Sequence, residues 1–232
     1  MSGQLWLVPL FSTLLGACVA GVIAHLNARH FAKEQSRKEV ERERRSEATR
    51  NLGLAHSIVF KVQRATDMIT KVHKHFVSAR QIAAKNAWPL WQGMKEFFGT
   101  DRLHVAFDAD ELGLFVVKDR ADFTNNLQDV ASAHNLLVDL IHAYNSQRNE
   151  FSKQSTSKNL VALAGEVASF ESSDPNVVLL ALRLEQLAQA IGETSEGAVR
   201  EALELSASVT TLLSEILSDP RFKMRIAPPV IG

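Results

Sequence analysis

The chain has 232 residues, with 26 Lys and Arg against 26 Asp and Glu, and one cysteine, Cys18. A lone cysteine excludes an internal disulfide and a cysteine-based metal site. The zero net charge speaks against general nucleic-acid binding, which needs clustered positive charge to neutralise phosphates, and no nucleic-acid partner is expected.

The first element is an apolar run from Leu5 to Leu26 that contains no Asp, Glu, Lys or Arg. About 20 such residues form a helix long enough to cross a hydrocarbon core of roughly 30 Å. The run is read as a transmembrane helix, with Trp6 at the interface and Pro9 in the first turns, where few backbone bonds are lost. A cleaved signal peptide is the competing reading, with Val22 and Ala24 as its small-residue site. A signal peptide places positive charge before its apolar core, whereas residues 1–4 carry no charged side chain here. Gly16, Ala17, Ala20 and Gly21 are small residues at spacings that let two spans approach closely.

Arg29, Lys33, Arg37, Lys38, Arg42, Arg44 and Arg45 follow at once. Flanking positive charge stays cytoplasmic, so the expected placement is single-pass in the inner or plasma membrane, N-terminus outside, with the C-terminal domain cytoplasmic. The lipid bilayer is the first partner. Trp6, Arg29, Lys33, Arg37 and Lys38 are candidates for the membrane interface, the cations through anionic headgroups. Residues 27–51 are polar all round and pair opposite charges at spacing four (Glu34/Lys38, Arg37/Glu41, Glu41/Arg45), which predicts a solvated helical stalk. From Arg29 to Glu96 there are 15 Lys and Arg against 7 Asp and Glu, and from Asp101 onward 11 against 19, so the chain divides into a basic and an acidic half.

Past the stalk, Ile58, Val62, Ala65, Ile69, Val72, Phe76, Ala79 and Ala83 form one apolar stripe. That predicts a helix over 52–86, ending before Trp88-Pro89 because a residue preceding proline avoids helical angles. Residues 87–118 are irregular and aromatic. Trp88, Trp91, Phe97 and Phe98 serve either as a lid over the bundle end or as a partner surface, and Asp108 with Glu111 has the spacing of a capping box. A second helix is expected over 119–153, with Phe123, Leu127, Val130, His134, Leu137, Ile141, Tyr144, Arg148 and Phe151 on its seam. A shorter one is expected over 158–170. Ser172-Ser173-Asp174-Pro175 supplies an N-cap with proline at the first helical position. The last helix should run to about 218, with a kink at Gly192 or Gly197 and a loose tail over 220–232.

The expected fold is therefore all-α: an N-terminal transmembrane helix, a charged stalk, then an antiparallel three- or four-helix bundle over 52–219. No catalytic, cofactor or metal residues are assigned. The phosphate-loop, zinc-protease and serine-hydrolase motifs are missing from the sequence. Two Asp-x-x-His segments, Asp101/His104 and Asp139/His142, come nearest to a metal motif, which keeps a metal-dependent bundle enzyme as the weakest of three readings. The preferred reading is a non-enzymatic, membrane-tethered scaffold, adaptor or assembly protein that binds a protein partner or a second copy of itself. The alternative is a membrane sensor or effector that couples the bundle to its span through the stalk.

Overall fold

The structure is a computed structural model. It describes residues 7–97, 103–116, 120–155, 174–219 and 222, with the side chains of 7–20 and 22–24 left out. The described residues are helical or irregular, without a strand, in the order α1 (Leu7–Asn86), α2 (Leu90–Gly93), α3 (Ala109–Val116), α4 (Ala121–Ser155) and α5 (Pro175–Leu217). The chain divides into two units, Met1–Arg50 and Asn51–Gly232.

In the first unit the backbone is helical from Leu7 onward. Among the described residues no helix is long and apolar enough to cross a membrane. Most side chains of the run expected as a span lie outside the described residues, Trp6, Gly16, Ala17 and Ala20 among them.

In the second unit the helix ends are set by local chemistry. At the end of α1, Ala87 takes φ 52. Trp88 N–H reaches back to Ala83 O at 2.9 Å and Ala87 N–H to Ala84 O at 3.4 Å. This is a Schellman closure with alanine where glycine is usual. At the start of α5, Asp174 accepts from Asn176 N–H at 2.9 Å, and Pro175 occupies the first turn. At the start of α3, Asp108 N–H donates to Glu111 Oε2 at 2.9 Å, the reciprocal half of a capping box. All eight residues of the predicted α1 stripe are buried.

The direction of the helices corrects the expected bundle. Along α1 and α5, the Thr66 hydroxyl donates to Ala202 O at 3.1 Å and Phe76 meets Gly192. One number rises as the other falls, so these helices are antiparallel. Residues 90–97 and 103–116 do not cap the bundle end. They run back along it: His75 meets Lys95 O, Arg64 meets Leu103 O, and Lys61 meets Glu111. The same segment runs antiparallel to α4, where Tyr144 meets Met94 O, Asn145 meets Phe97, Asn135 meets Val105, and Phe123 meets Phe115. Two helices that are each antiparallel to one strap are parallel to each other. The 51–86 part of α1 and α4 are therefore parallel, and α5 opposes both.

α5 is helical without interruption through Gly192 and Gly197. Gly192 makes room for a ring, since a Cβ there would lie 2.1 Å from Phe76 Cε2. Phe222, assigned to a loose tail, is buried and stacks on His56 at 5.6 Å between centroids. The helix expected over 158–170 lies outside the described residues.

Candidate membrane-facing helix and the aromatic strap

The first candidate surface is the stalk helix. Arg29, Lys33, Arg37 and Lys38 are all exposed, as are Leu26 and Phe31 beside them. Lys38 pairs with Glu34 at 2.8 Å and Arg45 pairs with Glu41, each one helical turn apart. The Lys38 hydrogen bond and its charge hold the Glu34 carboxyl below the usual carboxylate range, and Glu34 in turn raises Lys38. Exposed pairs one turn apart favour the helical backbone weakly, because water screens them. Their carboxylates lie on the helix itself, so they balance part of its charge, and Arg29, Lys33 and Arg37 remain exposed cations beside the apolar run. Gly21 is exposed, and a Cβ there would meet nothing within 4 Å.

The second candidate is the aromatic segment, whose rings the fold largely uses itself. Trp91 and Phe97 are 7% and 8% exposed, so as they stand they do not offer their rings to a partner. Large aromatics bring enough apolar area to hold an otherwise irregular chain against the core. Trp91 packs edge-on against Phe151 at 4.9 Å, and Phe97 lies between His75 at 4.5 Å and Tyr144 at 6.2 Å. Trp88 is half-buried, and Phe98 lies outside the described residues.

An irregular segment this buried must satisfy its backbone polar groups without a ladder of its own. Side chains of the neighbouring helices do so. Asn135 donates to Val105 O at 2.8 Å and accepts from Val105 N–H at 2.8 Å. Asn145 makes the same two bonds to Phe97, at 3.0 and 3.2 Å. His134, expected as a hydrogen-bonded core residue, is fully buried, and its Nε2 lies 3.2 Å from Leu103 O. The single-turn α2 is capped from outside at both ends. Glu185 of α5 accepts Trp91 N–H at 3.0 Å, and the Tyr144 hydroxyl and Arg148 guanidinium converge on the carbonyls of Trp91 and Met94. A carboxylate at the first turn and a cation at the last match the helix dipole. Burial raises the Tyr144 hydroxyl against the opposing effect of Arg148, which keeps it protonated as a donor.

At the far end of the strap, Lys61 donates to both Glu111 oxygens at 2.8 and 2.7 Å. Burial would raise this carboxyl. Hydrogen bonds from Lys61, Ser57 and Asp108 N–H outweigh that and hold it below the usual range. The Lys61 ammonium also lies 5.7 Å from the Phe107 ring centroid.

The two Asp-x-x-His segments meet, with His104 Nε2 3.1 Å from Asp139 Oδ1, both side chains more than half exposed. Asp101 lies outside the described residues, and among the described residues no group of three or more His, Cys, Asp or Glu is placed to hold a metal ion. His142 is exposed. Sequence reasoning missed Asn135 and Asn145. Each directly follows a seam residue, His134 and Tyr144, and an amide beside a seam is the one signal that points to them. It also missed a small exposed apolar group on α5, made by Val178, Leu179 and Leu182.

No protein family profile, curated protein or solved structure matches the chain.

Proposed function

We propose that the protein is a non-enzymatic scaffold or adaptor held on a membrane by a single N-terminal span, presenting its bundle on the cytoplasmic side. The observation that carries this reading is the charge-free run from Leu5 to Leu26 followed directly by a helix of exposed cations. A span of that length inserts stably, and the cations after it keep that side cytoplasmic. Arg29, Lys33, Arg37 and Lys38 then lie within reach of anionic headgroups, each contributing about 1 kcal/mol near the surface. The partner of the bundle is a protein, or a second copy of this chain brought close through Gly16, Ala17, Ala20 and Gly21.

Alkaline carbonate extraction of cells making the full chain tests the anchor. The protein should stay in the membrane pellet. Leu14→Arg with Val19→Arg should release it, because each arginine at a helix centre costs about 2.5–3.5 kcal/mol on insertion scales. A C-terminal tag should resist protease added outside intact cells. Recovery of the unaltered protein in the soluble fraction would sink the proposal.

A second reading, a membrane sensor or effector, is favoured by one observation. Leu7–Asn86 is a single helical element, so residues 7–26 of the apolar run and residues 51–86 belong to the same helix. Cysteine cross-linking along residues 30–50 that changed with ligand or lipid composition would favour this reading over a passive scaffold.

A further inference from the structure

Residues 90–97 are held differently from the long helices. The long helices carry their own backbone ladders and continuous apolar seams, whereas this segment has one helical turn and depends on side chains of α1, α4 and α5 for its polar backbone groups. It therefore has little local structure to lose.

His75 of α1 is its contact on one side. Its Nε2 lies 3.1 Å from Lys95 O, so that nitrogen carries the proton and donates. The ring packs on Phe97 at 4.5 Å. The charged groups around it come from every neighbouring element. Lys95 and Glu96 are on the segment itself, and Arg148 of α4 clamps the carbonyls of Trp91 and Met94. Glu185 of α5 is engaged by Trp91 N–H, and Lys71 and Lys74 lie on α1. Burial lowers the imidazole, the bond to Lys95 O opposes that, and the Arg148 and Lys95 charges lower it further. A proton added here gives a half-buried cation against an aromatic ring and beside two other cations. Moving residues 90–97 outward hydrates the imidazolium and separates it from both.

We propose that residues 90–97 form an acid-released strap pinned by His75: protonation of His75 detaches them from α1 and α4 and brings Trp91 and Phe97 to the surface. Above the ordinary imidazole value of about 6.5 the strap is closed. Below it the open form binds one more proton than the closed form, so the opening equilibrium rises by up to about tenfold per pH unit until the closed form's own value is passed. The aromatic segment is then a partner surface in one protonation state and core in the other. The proposal is independent of the membrane reading.

Hydrogen exchange followed by mass spectrometry on the full chain in detergent, from pH 8 to pH 5 and corrected for intrinsic rates, tests it. Protection over 88–97 should fall with acid while α5 keeps its own. In His75→Gln, whose amide donates to Lys95 O without titrating, the pH dependence of 88–97 should vanish. Lys95→Gln removes a cation that opposes the imidazolium in the closed form, so it weakens the drive to open and should shift opening to lower pH. The proposal is overturned if 88–97 and α5 lose protection together, if His75→Gln keeps the wild-type pH dependence, or if Lys95→Gln leaves the midpoint where it was.

Discussion

Asn135→Ala isolates one of the side-chain attachments of the irregular segment to α4, the one at Val105. The substitution removes both hydrogen bonds to Val105, at 2.8 and 2.8 Å, from a residue only 3% exposed. A backbone group that stays buried without a partner costs about 1–3 kcal/mol, and one that water reaches loses about 0.5–1.5. Two groups together place the expected loss at about 2–4 kcal/mol. Alanine is a better helix former than asparagine, which returns a few tenths. Asn145→Ala should cost slightly less, because its bonds to Phe97 are longer, at 3.2 and 3.0 Å. The two positions lie about 15 Å apart along α4 at 1.5 Å per residue, so the double variant should show the sum within about 0.5 kcal/mol. Urea unfolding monitored by circular dichroism, with the full chain in detergent, measures all three. Asn135→Asp is the sharper control: it keeps the acceptor for Val105 N–H but turns a carboxylate oxygen toward Val105 O, and should be no better than alanine. An Asn135→Ala loss below about 0.5 kcal/mol, or an aspartate variant as stable as the parent, would refute the argument that side-chain amides hold the strap.

Other substitutions test the packing and the ion pair by the same unfolding measurement. Gly192→Ala should destabilise, because its Cβ would meet Phe76 at 2.1 Å and overpacking of about 1–3 kcal/mol outweighs a helix-propensity gain of about 1. Gly197→Ala, with nothing within 4 Å of its Cβ, should gain up to about 1 kcal/mol. Ala87→Gly should stabilise by up to about 1 kcal/mol by relieving the left-handed φ of 52. Lys61→Met leaves Glu111 buried without its cation and should cost about 3–5 kcal/mol. Because the folded Glu111 carboxyl titrates below its ordinary 4.5, its contribution is complete above that value and is lost as pH falls through the lowered one. A pH series should therefore show an acid-side loss of stability below about pH 4.5 that Glu111→Gln removes.

The sequence by itself determined the helices and most of their ends. The α1 stripe, the stop before Trp88-Pro89 and the Asp174-Pro175 start are local effects, in which a residue's neighbours within a turn or two decide the backbone. Tertiary structure alone decided where residues 87–97 and 103–116 go, and with them the parallel course of the 51–86 helix and α4. The bonds that fix that course join Asn135 to Val105 and Asn145 to Phe97, positions 30 and 48 residues apart with no periodic pattern linking them. Burial of Trp91 and Phe97 follows from the same bonds. An aromatic ring is equally suited to a core and to an interface, and only the backbone that carries it selects between them. Gly192 teaches the same point, since a glycine reads as a weak place in a helix until the ring of Phe76 fills the space its missing Cβ leaves.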